Sequence, residues 1–217
     1  MTCLDCTASS DAFPLIEQIS HTRSVLGVGI NDCPTSSWIN GKPTKVYVLW
    51  RNMLARCYSA NSLKRQASYI GCYVAEDWHL LSNFTQWFKA NYIEGWHLDK
   101  DILIAGNRVY GPETCVFVPR ALNQLLTDGG AARGDYPLGV TFDKASQKYR
   151  AQVRILTVNH YLGSFTTPLE AHRVYQLAKA TAIESAETRD PRVRSAFDLR
   201  AAKLRDDHAH NRITTKL

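Results

Sequence analysis

Residues 138–179 read LGVTFDKASQKYRAQVRILTVNHYLGSFTTPLEAHRVYQLAK, and this stretch decides the fold. Leu138-Gly139-Val140 opens one strand, Lys148 to Arg154 forms a second, and Tyr161 to Phe165 a third. In the second run Lys148, Arg150, Gln152 and Arg154 alternate with Tyr149, Ala151 and Val153. Strand side chains point to opposite faces in turn, so the polar set shares one face and the apolar set the other. Thr167-Pro168 then starts a helix whose Ala171, Val174, Tyr175 and Ala178 fall at helical spacing and read as core. A small sheet with cations on one face and a helix behind it suits a nucleic-acid groove. Cations meet phosphate there, and amides and flat side chains meet bases and sugars.

The charge distribution agrees with that reading. The 217-residue chain carries a net charge of +6. From Arg133 onward there are 15 Lys+Arg and 9 Asp+Glu, and the preceding residues carry 11 of each, so the whole excess lies in the C-terminal part. Hydrophobic content of 45% is ample for a core. No run reaches the roughly 20 apolar residues of a membrane helix, and the N-terminus lacks the basic and apolar regions of a secretory signal. A cytoplasmic protein is expected. Six cysteines in such a compartment are expected to be reduced. Cys3 and Cys6 have zinc-ligand spacing, but no second pair follows them, and two free thiols is the simpler reading. Cys57 and Cys115 read as core.

The stretch at 138–179 resembles the Apetala/ethylene-response-factor DNA-binding domain of plants, which also occurs in phage and mobile-element nucleases. The pieces that carry the resemblance are Leu138-Gly139-Val140, Lys148 to Arg154, Tyr161-Leu162-Gly163-Ser164-Phe165, and Thr167-Pro168-Leu169-Glu170-Ala171 through Tyr175. The resemblance implies a three-stranded antiparallel sheet packed on one helix, with the sheet entering the major groove of double-stranded DNA. By position its contact residues are Lys144, Lys148, Tyr149, Arg150, Gln152, Arg154, His160 and Tyr161, with Thr141 on the first strand. Arg150, Gln152 and Arg154 are the strongest candidates, because Arg reads guanine and Gln reads adenine. The plant pattern has Trp, Glu and Arg where Tyr149, Gln152 and Thr141 stand, so the target sequence does not carry over. A solvated, purely structural sheet face is the competing reading.

Upstream, residues 1–43 are poorly periodic, with a strand expected around Leu26–Ile30. A helix is expected from about Lys45 to Ser59, with Val46, Trp50, Met53, Leu54 and Cys57 as its buried stripe and Thr44 as its cap. A second helix is expected from Ser82 to about Tyr92. Between 97 and 126 the pattern is strand, turn, strand, helix. Residues 97–126 resemble the ββα metal-finger core of HNH homing endonucleases, and Trp50-x-x-Met53-x-x-Arg56-Cys57, Trp78 and Phe84-x-x-Trp87 resemble the upstream part of phage proteins of that family, in which such a region often precedes an Apetala-type domain. In that family an Asp binds a divalent ion such as Mg2+, an adjacent His is the general base, a loop Asn orients the His, and a helix Asn or His completes the metal site. Asp99 and Asn123 match the two metal ligands. Lys100 stands in place of the His and Thr114 near the loop Asn. A lysine at its ordinary pKa cannot accept a proton at neutral pH. His97 shares a strand face with Asp99 and is the substitute base to consider. Lys100 would instead face the phosphate. The structural alternatives are that Asp99 and Asp101 cap turns or pair with Lys100 or Arg108, and that Asn123 bonds the hairpin backbone.

The chain is therefore expected to be an α+β protein of phage type, acting in the host cytoplasm. Its expected parts are a segment at 1–43, a degenerate HNH-like ββα domain at 44–127, a linker at 128–135, an Apetala-type domain at 136–185 and a charged helical tail at 186–217. The tail has Val193, Phe197 and Leu199 as its apolar contacts. Non-catalytic binding of double-stranded DNA is the leading expectation. A metal-dependent nicking endonuclease and a protein-binding inhibitor of a host enzyme are the alternatives.

Overall fold

The structure is a computed structural model that describes residues 24–33, 37–127 and 135–217. Cys3, Cys6 and most of the expected 128–135 linker lie outside the described residues. The protein is mixed α+β. Strands β1 (Ser24–Val25) and β2 (Gly29–Ile30) form a short hairpin. The Leu26–Ile30 run is thus mostly a turn, with Leu26 and Gly27 at positive φ. A second hairpin, β3 (Trp38–Ile39) and β4 (Lys42–Pro43), leads into helix α1 (Lys45–Tyr58). The stripe expected on α1 is present, with Trp50, Met53, Leu54 and Cys57 buried. Trp50 Nε1 donates to the Trp78 carbonyl at 2.7 Å, which satisfies the one polar atom of a fully buried ring.

A short helix α2 (Ala60–Arg65) follows, and β5 (Tyr73–Val74) pairs in parallel with β7 (Val109–Tyr110). Helix α3 (Leu81–Asn91) begins one residue before the expected cap, Ser82. The backbone N–H of Ser82 donates instead to the Asp32 carboxylate at 2.9 Å, a cap supplied from far along the chain. Phe84, Trp87 and Phe88 of α3 pack with Trp78 and Phe117. Strand β6 (His97–Asp99) is antiparallel to β8 (Val116–Val118), and helix α4 (Arg120–Leu125) follows, giving the expected strand–strand–helix order. The first arm, expected over 97–103, is shorter. It ends at Asp99 because Asp99 Oδ1 accepts from the backbone N–H groups of Asp101 and Ile102, both at 2.7 Å, and turns the chain.

The C-terminal sheet comprises β9 (Val140–Asp143), β10 (Lys148–Ile155) and β11 (Val158–Phe165), all antiparallel with β10 central. Helix α5 (Pro168–Glu184) packs against it. Its start is fixed by Pro168 and by a capping box between Thr167 and Glu170. Gly139 has φ +74°, and a Cβ there would lie 2.0 Å from the Tyr175 ring, so only glycine lets β9 approach α5 so closely.

Helix α6 (Pro191–Ala209) lies along α5. Its buried residues include Val193, Phe197, Ala201 and Leu204, at helical spacing. Leu199 is 71% exposed and is not the core contact expected. Phe197 and its neighbours pack with Ile102, Val116 and Leu122 from the ββα unit and with Ala180 and Ile183 from α5. One core therefore runs across the expected boundaries at 127 and 185. The last residues are strapped to α5. Thr214 N–H donates to His172 Nε2 at 3.0 Å, so the other ring nitrogen, Nδ1, is the donor to the Leu138 carbonyl at 2.9 Å. Gln176 Nε2 donates to the Arg212 carbonyl and to Thr214 Oγ1. Among the described residues no helix is long and apolar enough to cross a membrane.

Candidate nucleic-acid interface

Ala151 and Val153 are buried against α5, which turns Lys148, Arg150, Gln152 and Arg154 outward on the opposite face of β10. Cross-strand register extends that face. Arg150 lies between Thr141 and Ser164, Gln152 opposite Tyr161, and Arg154 opposite Asn159. A bulge between Ala151 and Gln152 leaves Leu162 as the extra residue, and the backbone recovers through Gly163 at φ +134°. The bulge brings Tyr161 to the outer face, 63% exposed, where its hydroxyl meets Ser164 Oγ at 2.9 Å. Arg150 is held by the Asp143 carboxylate at 2.7 Å. The Ser146 hydroxyl, helped by backbone N–H groups, holds that carboxyl below its ordinary range. Gln152 Nε2 reaches Thr141 Oγ1 at 3.3 Å. Lys144 is exposed in the turn after β9.

Two of the expected contact residues lie elsewhere. Tyr149 faces the helix side, in a ring cluster with Tyr136 and Phe142 at centroid distances of 5.5 and 5.1 Å. Its neighbours Lys148 and Arg150 point outward, and strand geometry sends Tyr149 inward. His160 pairs with Val153 and so shares the register of the helix-side face, although it is exposed there. Ser164 and Asn159 join the outer face without having been expected. Only the strand register reveals them.

The second set of expected site residues lines a cleft of about 820 Å³ beside the ββα unit. His97, Asp99, Lys100 and Asn123 all reach it, together with Arg56, Tyr69, Trp96, Arg200 and Lys216. His97 is exposed, and Asp99 is two residues along the same strand. Lys100 does not face an open phosphate site. Its Nζ donates to both oxygens of Asp101 and to the Asn107 carbonyl, all at 2.8 Å, and the side chain is 7% exposed. These bonds match the three hydrogens of an ammonium. Asn107 closes the arrangement by donating through Nδ2 to the Lys100 and Val109 carbonyls. Thr114 Oγ1 bonds the Val109 carbonyl at 2.8 Å and does not touch Lys100. Burial pushes the Asp99 carboxyl above its ordinary range, against the two backbone N–H groups that it accepts from. Burial also pulls the Arg200 guanidinium down, while Asp99 and Asp101 oppose that.

These residues do not fit the divalent ion that an HNH site implies. Asp99 Oδ1 is engaged by two backbone donors, and two buried cations, Lys100 and Arg200, share the cleft with it. Among the described residues no three His, Cys, Asp or Glu side chains gather as a ligand set. Cys57 and Cys115 are buried, and burial pushes both thiols up to about 12, which leaves them protonated and inert. No protein family, curated protein or solved structure matches this chain.

Proposed function

We propose that the chain binds double-stranded DNA through the outer face of β9–β11 and that the ββα unit is a non-catalytic scaffold. The observation that carries the reading is the row Lys148, Arg150, Gln152 and Arg154 on one exposed, helix-free face of an eight-residue strand. Cations at this spacing can track phosphates, and the Gln152 amide and Arg forks have the donor geometry for base edges. The Asp143 pair presents the Arg150 guanidinium in a fixed orientation, which lowers the entropy lost on contact. The scaffold role is supported by Lys100, whose ammonium has no lone pair to take a proton from water and whose hydrogens are already engaged.

Electrophoretic mobility shift with a pool of duplexes, at several salt concentrations, tests the reading. The double variant Arg150→Ala/Arg154→Ala is expected to lose about tenfold or more in affinity, and its salt slope to fall by about 2. Affinity equal to the parent chain would overturn the proposal. In a supercoiled-plasmid assay with magnesium, the plasmid is expected back intact after deproteinisation. An open-circle product that a chelator abolishes would restore the nuclease reading.

A further inference from the structure

The cleft beside the ββα unit contains a buried cation, Arg200, on which Asp99 and Asp101 act through space without closing an ion pair. Arg200 is 7% exposed. Its Nη1 donates to the Ala196 carbonyl at 3.0 Å and its Nη2 to the Asp101 carbonyl at 2.8 Å, both neutral groups. Its Nε is buried and meets no acceptor. Among the described residues Arg200 makes no ion pair. Buried charges are ordinarily paired, because removing one from water is costly.

The remaining lining has the same bias. Lys100 and Asp101 cancel each other. Arg56 meets the Tyr110 hydroxyl at 3.4 Å and the Tyr69 ring, and makes no ion pair among the described residues. Lys216 is exposed at the cleft. Among the described lining residues, outside the Lys100–Asp101 pair, three cations are thus left against one side-chain carboxylate, Asp99. Tyr69 and Trp96 add partly exposed rings to the lining. The volume of about 820 Å³ is that of a small-molecule pocket.

We propose that this cleft binds a phosphate-bearing ligand of nucleotide size, its phosphate held by Arg200, Arg56 and Lys216 and its ring stacked on Tyr69 or Trp96. None of these residues lies on the β9–β11 sheet, so the site stands or falls independently of the DNA face. Asp99 is the described lining side-chain carboxylate outside the Lys100–Asp101 pair, and it repels such a ligand. Its effect has a sign opposite to that of a metal ligand: neutralising it strengthens phosphate binding.

Isothermal titration calorimetry on the full chain, with AMP, adenosine and a short DNA duplex as probes, tests the site. AMP is expected to saturate at one per chain, with adenosine about tenfold or more weaker, since the charged contacts carry the affinity. Arg200→Met is expected to weaken AMP by about tenfold or more. The exposed Lys216→Ala is expected to weaken it about threefold, and it keeps the test alive if Arg200→Met does not fold by circular dichroism. Asp99→Asn, which retains the Oδ1 acceptor of the turn, is expected to tighten AMP, and Arg150→Ala/Arg154→Ala to leave it unchanged. Displacement of AMP by the duplex would identify the phosphate as a DNA diester. AMP unaffected by the duplex would identify a free nucleotide. Absence of saturable AMP binding, adenosine binding as tightly as AMP, or parent-like AMP affinity in both cation variants would overturn the proposal.

Discussion

Lys179 sits on the inner side of α5, one turn after Tyr175 and one turn before Ile183, and is 1% exposed. Among the described residues its ammonium has no ion pair or hydrogen bond, and burial alone pulls its pKa from 10.5 to about 8. The folded value lies below the unfolded one. Its contribution to stability is therefore complete above pH 10.5 and is lost as pH falls through about 8. At neutral pH the fold carries a protonated, unpaired lysine. Lys179→Met, of similar volume, is expected to stabilise the protein at pH 7 by on the order of 3 kcal/mol at most. That gain should shrink steadily towards pH 10.5, as followed by urea denaturation at each pH. A variant no more stable than the parent at pH 7 would show that the ammonium is solvated. Lys100 is the contrasting case, also buried but with every hydrogen engaged.

At the scale of elements, β10 and α5 make the candidate interface together. The strand supplies the charges, and the helix decides which of its faces is free. Gly139 is where the two press closest. Its carbonyl also accepts from the Gln152 N–H at 2.9 Å, next to the bulge that presents Tyr161. Gly139→Ala must adopt a positive φ and displace the Tyr175 ring. It is expected to cost about 2–4 kcal/mol in chemical denaturation, combining backbone strain with overpacking. DNA affinity is expected to fall with it, because Gln152 and Tyr161 lose their register. A variant of parent stability would mean that β9 can move off α5 at little cost. The alternation that makes the outer face of β10 was legible in the sequence, since it follows from a local period of two. The same period sends Tyr149 to the helix side, but the placement of His160, Ser164 and Asn159 was not legible. It depends on register and on a bulge that no local pattern announces.

For the whole molecule, α6 is the joint. Phe197 touches a core built from the ββα unit and from α5 at once. All five tryptophans lie between residues 38 and 96, so tryptophan fluorescence reports the N-terminal part alone. Phe197→Ala is expected to cost about 3–5 kcal/mol. Because the core is shared, the fluorescence midpoint should shift together with the circular-dichroism midpoint. A fluorescence transition left in place would show that the two parts unfold independently.

The sequence by itself determined the helices at 45–58 and 168–184, the three strand runs of the C-terminal part and the polar face of β10. Each of these is written in the spacing of neighbouring side chains and in caps such as Thr167-Pro168. Tertiary structure alone decided the surroundings of the remote charge. Arg200 was carried across 99 residues of chain to the Asp101 carbonyl, whereas the Asp99 turn and the Lys100–Asp101 pair are local contacts that the sequence already offered. Backbone geometry fixes which way a side chain points within its own element. Which group it meets there is set by the packing of distant elements.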